Sequence, residues 1–515
     1  MLIREKIKRK IECYLEAQKL DLSPVWQVEL PKERSVADYA TNLAFIAVKH
    51  MKKSPQEIAQ EMAVGILDYF SEPEWKGMQI TALRGFINFT LSPSFCYDAL
   101  RQDAFATQLV EPHAKILLEY VSANPTGPLH IGHGRWAALG DSLWRMMKRV
   151  GYQVDTEFYI NDAGNQIDHF LMSVNAHRSG QAIPEGGYGG SYVKELVGSS
   201  DPVKDILEQQ KKTLTDFRVH FDKWFSEKIQ LHETGLVKES VALLTQKNLT
   251  YEEEGAILFK STKFGDDKDR VLIKGTGEYT YFASDVAYHM SKVSRGYRHL
   301  INIWGADHHG YIARVRAGLT ALADEDVVFE VVLGQLVTLF REGQAVRMSK
   351  RTGDMISLQE VMDEIGVDAT RFFLVLKSAD TALDFDLNLA KKKSNDNPVF
   401  YVQYAHARIC SILRKSTYQP KLHTHLELVP EEYRLLKFLL SFEEELFVAT
   451  ERHEPHRIAK YLMDLATNFH SFYHACKVNV EDQILAEHRL AMSDLTRNIL
   501  SIGLELLGVN APESM

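Results

Sequence analysis

Residues 119–135 read Glu119-Tyr120-Val121-Ser122-Ala123-Asn124-Pro125-Thr126-Gly127-Pro128-Leu129-His130-Ile131-Gly132-His133-Gly134-Arg135, and this stretch decides the fold. The apolar run from Ile116 to Val121 leads into it as a strand. Asn124-Pro125-Thr126-Gly127-Pro128 makes a turn. Beyond it Trp136, Leu139, Leu143, Met147 and Val150 recur at steps of three and four up to Gly151, the pattern of a helix with a glycine C-cap. Strand, turn and helix in this order set the helix's unpaired amides and positive dipole end beyond the strand's carboxyl end, where an anion binds. His130 and His133, three apart, share one face of the first helical turn and can donate hydrogen bonds to phosphate oxygens as charge builds in a transition state. Gly132 and Gly134 are expected to leave room for a nucleotide against the backbone. A bare His-x-x-His is more often a helix cap or a stray metal pair; the context of residues 123–133 turns the reading toward a nucleotide.

Working outward, Leu300-Ile301-Asn302-Ile303-Trp304 and Val327 to Val337 read as further buried strands. The alternation with helices predicts an α/β domain, a Rossmann-like doubly wound parallel sheet over residues 111–390 with ligands at the strands' carboxyl ends. Gly-rich and charged stretches between about 165 and 285 are read as an insertion into it. Residues 1–110 mix helical patterns with a strand near Gly85 to Leu91, which predicts a small α+β domain. Lys391 to Pro398 reads as a hinge with a turn. After it, Ile458, Leu462, Leu465, Phe469 and Phe472 form one apolar stripe and Leu495, Ile499, Ile502 and Leu506 another, so residues 391–515 are expected to be an all-α helical bundle.

The chain's 60 Lys and Arg against 69 Asp and Glu give a formal net charge of −9. The deficit is local: residues 1–105 hold 14 basic and 14 acidic residues, residues 391–515 hold 15 and 16, and the middle holds 31 against 39. Phosphate contacts need local basic clusters and not a positive total, so a nucleic-acid partner is not excluded. No run of eighteen apolar residues exists to span a membrane, and the basic start Met1 to Lys10 lacks the apolar core of a signal peptide. Leu2, Ile3, Ile7, Ile11 and Leu15 instead mark a helix face. Cys13, Cys96, Cys410 and Cys476 lie far apart with no Cys-x-x-Cys pair, which predicts free thiols, a cytoplasmic location and no protein-bound zinc.

His130-Ile131-Gly132-His133 resembles the first signature of the class I aminoacyl-tRNA synthetases, and Arg347-Met348-Ser349-Lys350-Arg351-Thr352-Gly353 looks like the second, a lysine loop that reaches the phosphates of ATP. Arg347 stands where that loop usually opens with lysine, so the resemblance puts the charge stabilisation on Lys350. The stretches Tyr159 to Gln166, Gly305 to Tyr311, Asn397 to Arg408 and Leu507 to Pro512 are similar to arginyl-tRNA synthetases over nearly the whole chain. That resemblance implies an arginine–tRNA ligase that makes arginyl-adenylate from ATP and passes arginine to tRNA(Arg), with Mg2+ accompanying ATP and a monomeric, cytoplasmic enzyme. It implies catalytic roles for His130, His133 and Lys350, and ATP contacts from Gly132, Gly134, Gly305, Asp307, His309, Met348 and Ser349. The arginine pocket carries over to Glu119, Asn124, Tyr281 and Asp285, with His308 nearby. Carboxylates suit this ligand because a guanidinium is planar, always charged and bound in bidentate fashion.

For the tRNA, the resemblance points to Phe86 and Asn88 at the elbow, and to Tyr401, Tyr404, Tyr473 and Met515 at the anticodon, where splayed bases need aromatic or apolar platforms. Gly186 to Gly190 lacks the strand and lysine of a phosphate loop and reads as a turn; Asp266 to Arg270 lacks calcium-loop spacing and reads as a solvated loop. The alternatives are a nucleotidylyltransferase, a non-catalytic tRNA-binding paralogue, or a class I synthetase of another specificity. The long helical C-terminus, the retained His130, His133 and Lys350, and the anionic pocket residues weigh against them in turn.

Overall fold

The computed structural model describes residues 2–22, 26–31, 37–101, 109–110, 115–323, 325–346 and 356–515. At its centre lie five parallel strands: β1 (Ile116–Glu119), β2 (Val154–Ile160), β3 (Lys223–Ser226), β4 (His299–Gly305) and β5 (Val328–Gly334), in the spatial order β5-β4-β1-β2-β3. The order reverses between β1 and β4, and a crevice opens there at the carboxyl ends, the place where doubly wound sheets bind ligands. Register sets Asn302, Glu119 and Glu157 in one row across β4, β1 and β2.

Helix α1 (Ile131–Val150) follows β1 and ends at Gly151, whose φ of 111° only glycine adopts without strain. Helix α2 (Tyr281–Ser294) covers the row of polar residues on the sheet, with Tyr288 and Lys292 buried against it. Helices α3 (Leu358–Ile365) and α4 (Val367–Leu374) then lead toward the C-terminal part.

The structure departs from the sequence reading in two places. The span 165–285 is not wholly an insertion, because Lys223–Ser226 within it is the edge strand of the parallel sheet. Val327 to Val337 is two strands, Val328–Gly334 in the main sheet and Val337–Arg341 in a small separate one. The break follows Gly334, a position where any side chain would collide with the Trp136 ring of α1.

The N-terminal part is α+β, a four-stranded antiparallel sheet with helices that include Ile3–Ala17 and Pro55–Leu67. The C-terminal part is helical, built on Pro398–Lys415, Pro430–Leu440, Phe442–Glu451, His456–Ala475 and Gln483–Leu506. Asn397 caps the first of these by accepting from the Val399 and Phe400 amides. No described helix is long and apolar enough to cross a membrane.

The fully buried Arg371 of α4 joins the central part to the C-terminal part. It donates to Asp141 Oδ2 of α1 (2.5 Å), the Leu507 carbonyl (2.7 Å) and the Phe217 carbonyl (2.8 Å). Arg371→Met would leave the buried Asp141 carboxylate to Arg145 alone and strip two buried carbonyls of their donor. We expect a loss of about 3–5 kcal/mol, seen as an earlier unfolding transition in denaturant; an unchanged transition would remove Arg371 from this role.

Candidate active site

The site begins with the turn after β1. The Ser122 amide donates to the Tyr120 carbonyl (3.0 Å), and Val121 and Ser122 both take positive φ, 70° and 41°. For a β-branched residue that is strained backbone, held here by its surroundings. The turn aims the Ser122 hydroxyl at Glu119 Oε1 (3.0 Å), and the Tyr159 amide donates back to it (3.1 Å). Next, Asn124 donates to Gln166 (2.5 Å), while Gln210 ties down the Asn124 and Gly127 carbonyls.

His130 is the N-cap of α1. Its Nδ1 accepts from the Gly132 (3.1 Å) and His133 (3.4 Å) amides, and His133 Nδ1 accepts from the His130 amide (3.3 Å). The rings stack at 3.7 Å. The amides expected to await an anion are thus taken by the cap. With each Nδ1 accepting, each ring proton resides on Nε2, so each imidazole carries an N–H donor there. The two glycines also serve differently from the expectation. A side chain at Gly132 would meet the His130 ring, and one at Gly134 would meet Leu358. The room they leave is filled by protein.

Arg347, Met348, Ser349 and Lys350 lie outside the described residues. The segment that follows them is fixed to the histidine motif: Ser357 bridges His130, and the Leu358 amide donates to the Leu129 carbonyl (2.7 Å). Beside His133 is a cavity of about 270 Å3, lined in part by Asn124, Thr126, Tyr192, Ser357 and Glu360.

Across the crevice, α2 begins with the exposed Tyr281, whose ring reaches toward Gly164, and places Asp285 one turn on. Glu119 is buried, and its Oε2 accepts from Lys292 (2.5 Å), Tyr288 (2.9 Å) and Asn302 (3.0 Å). A carboxylate that sequence reasoning missed completes the group. Glu227, just past β3, is buried and lies against His232 (3.1 Å). Asp162 holds its turn by accepting from the Ser226 hydroxyl (2.6 Å) and the Lys228 amide (2.8 Å). Reading 165–285 as an insertion hid the strand end that would have flagged Glu227. Burial first, then Glu227 and Glu119, push the Asp285 carboxyl up to about 7, against the opposing pull of Arg314 and Lys292.

Gly305 ends β4, and Asp307, His308 and His309 stand exposed on the rim beyond it. His308 Nε2 is 3.5 Å from Asp307 Oδ2. The structure leaves all three outside the Glu119 network.

Comparison with known proteins agrees with this geometry. Residues 2–91 match the arginyl tRNA synthetase N terminal domain, residues 97–184 the catalytic domain of tRNA synthetases class I (R), and residues 402–515 the DALR anticodon binding domain. The arginine–tRNA ligase of Desulfitobacterium hafniense is 43% identical, over 97% of each chain. That of Shouchella clausii is 41% identical, over 100% of this chain and 98% of its own. The chain belongs to the arginyl-tRNA synthetase family. Its activity is that of an arginine–tRNA ligase. The arginyl-tRNA synthetase of Thermus thermophilus superposes with a TM-score of 0.83 at 24% identity over 100% of both chains. That of Plasmodium falciparum gives 0.78 at 18%, over 100% of this chain and 99% of its own; these two show the fold.

The synthetase's outlying residues fall into separate groups. Arg84 and Gly85, both with positive φ, form a two-residue hairpin turn that leaves Phe86 exposed against Phe45. Asn88 is instead buried in the sheet and donates to the Phe86 carbonyl (3.4 Å), so it supports the hairpin from within. Tyr401 and Tyr404 share a face of the bundle with His470, and Arg408 lies over the Tyr473 ring. The C-terminal tail runs along the opposite side of that helix, bonded to Gln403, His406 and Arg414. Met515 is exposed beyond it.

A guanidinium set against Asp285 binds its carboxylate form, so arginine binding must displace a proton wherever Asp285 holds one. Arginine affinity should fall by about tenfold per pH unit below pH 7 and level off above it. Titration calorimetry in buffers of different ionisation heat checks the released proton. An affinity independent of pH over this range would refute the coupling.

Proposed function

We propose that the crevice between β1 and β4 activates arginine with ATP and then loads it onto tRNA(Arg). The arginine carboxylate attacks the α-phosphate of ATP, the bond to pyrophosphate breaks, and arginyl-adenylate forms. A terminal ribose hydroxyl of the tRNA then takes the arginyl group and AMP leaves. The observation that carries this reading is the convergence of three buried or half-buried carboxylates, Glu119, Glu227 and Asp285, the first of them at the end of the strand whose following turn leads to the stacked His130 and His133. Anions on one side suit a guanidinium, and N–H donors on the other suit phosphates.

In this reading Asp285 and Glu227 face the guanidinium, with Tyr281 closing over it and Asn124 near the backbone end. His130, His133 and Lys350 stabilise the phosphate charge; Gly132, Gly134, Gly305, Asp307, His309, Met348 and Ser349 surround ATP, and His308 lies on the arginine side. Mg2+ accompanies ATP and is held mainly by its phosphates. Phe86, supported by Asn88, meets the tRNA elbow, and Tyr401, Tyr404 and Tyr473 take anticodon bases, with Met515 at the edge of that surface. The enzyme works as a cytoplasmic monomer, divided at residues 110 and 390.

Bulk tRNA offered each amino acid in turn should accept arginine alone, and incorporation of another amino acid would overturn the specificity. Lys350→Ala should lower the activation rate while leaving arginine affinity nearly unchanged, because the loop acts on charge that develops in the transition state. A normal rate with weakened arginine binding would reassign that lysine. Asp285→Asn should weaken arginine binding by about 2–5 kcal/mol and leave ATP binding alone, and equal weakening of both would make Asp285 structural.

A further inference from the structure

Glu119 ends the central strand beside the crevice, yet its charge is turned inward. Oε2 accepts from Lys292 (2.5 Å), Tyr288 (2.9 Å) and Asn302 (3.0 Å), and Oε1 from Ser122 (3.0 Å). An ionised carboxylate offers about four lone-pair sites, so these four donors leave it little to give a ligand. Lys292 is 0% exposed. Its ammonium also lies 3.3 Å from Asn302 Oδ1 and 4.4 Å above the centre of the Tyr288 ring. A buried ammonium persists where a carboxylate and further acceptors surround it, and this one is set under the floor of the crevice.

We propose that Lys292 is a positioning residue for arginine activation: by holding Glu119 back from the ligand, it leaves Glu227 and Asp285 to face the guanidinium. The inference rests on the arginine reading of the crevice. It predicts how the charges balance. Asp285 is faced by Glu119 at the end of β1, Tyr159 on β2, Glu227 beyond β3, Arg314 on the helix Tyr311–Leu322, and Lys292 on its own helix. Removing the lysine alone leaves Arg314 to face three carboxylates and drives protons onto them. Removing the lysine and the Glu119 charge together restores the balance at Asp285.

The test is arginine-dependent ATP–pyrophosphate exchange with tRNA present, on the full chain, across pH. Lys292→Met, Glu119→Gln, the double variant and Asp285→Asn are compared. Lys292→Met should raise the arginine KM at neutral pH by at least about tenfold, leave the ATP KM unchanged, and recover toward wild type at alkaline pH. The double variant should return to within about threefold of Glu119→Gln. A defect that persists undiminished in the Glu119→Gln background, or that ignores pH, overturns the proposal. If Lys292→Met fails to fold, the double variant decides: a folded protein with the KM of Glu119→Gln supports the proposal, and a second failure to fold refutes it. Sensitivity of Asp285→Asn with independent effects of the other two sinks the lysine's role alone. An Asp285→Asn enzyme with a normal arginine KM takes down the pocket reading and this proposal together.

Discussion

Carboxylates gathered beside one crevice repel one another unless each is compensated, and the architecture of the central part is arranged around this constraint. Each member of the group is handled differently. Glu119 is paired with a buried lysine and three neutral donors. Glu157, next to it in the register, is held by Arg295 at 2.5 and 3.0 Å and by the Tyr288 hydroxyl at 2.8 Å. Asp285 has no such hydrogen-bonded partner among the described residues and instead holds its proton more tightly. The parallel register, the inward stripe of α2 and the strained turn at Val121 each put one of these compensating groups in place.

The two ends of the chain meet each other as well as the centre. Arg4 lies against Glu444 (3.3 Å), Lys437 against Asp38 (3.2 Å), and the Tyr433 hydroxyl donates to the Leu91 carbonyl (2.6 Å). Burial pushes the Glu444 carboxyl up to about 7 in spite of Arg4, so this contact is a desolvated one and not a solvated surface pair. The N-terminal sheet therefore sits on the helical bundle, and the bundle's tail is bonded through Arg371 to the helix that carries His130. The N-terminal and C-terminal parts thus form a single platform with the central one.

Much of the fold was legible because its signals are local. The helix from His130 to Gly151, the strands at Ile116, Leu300 and Phe86, and the turn before Pro398 all follow from periodicity and turn chemistry within a few residues. What failed was the edge of the sheet. Lys223–Ser226 is four residues long and carries a lysine and a serine, so it lacks the apolar run of a strand buried on both faces. Edge strands face solvent on one side, and their sequences blur into the loops around them.

The site was legible where a motif concentrates its chemistry and illegible where the chemistry is assembled from afar. His130 and His133 announce themselves within four residues, but their ring nitrogens turned out to cap the helix as well as face outward. The inward side of α2 shows the harder case. A helix packed on a sheet normally reads as an apolar stripe, yet here Ser284, Tyr288, His289, Ser291 and Lys292 are all buried. Taken from the sequence, such residues mark the solvent side. They are stable inside because Lys292 and Asn302 reach Glu119 across 173 and 183 residues of chain, a match that exists only once β1 and β4 are paired. Polar burial depends on register between distant strands, whereas apolar burial depends on little more than spacing along one helix. That difference explains why Glu119 could be named from its motif while the lysine that sets its charge could not.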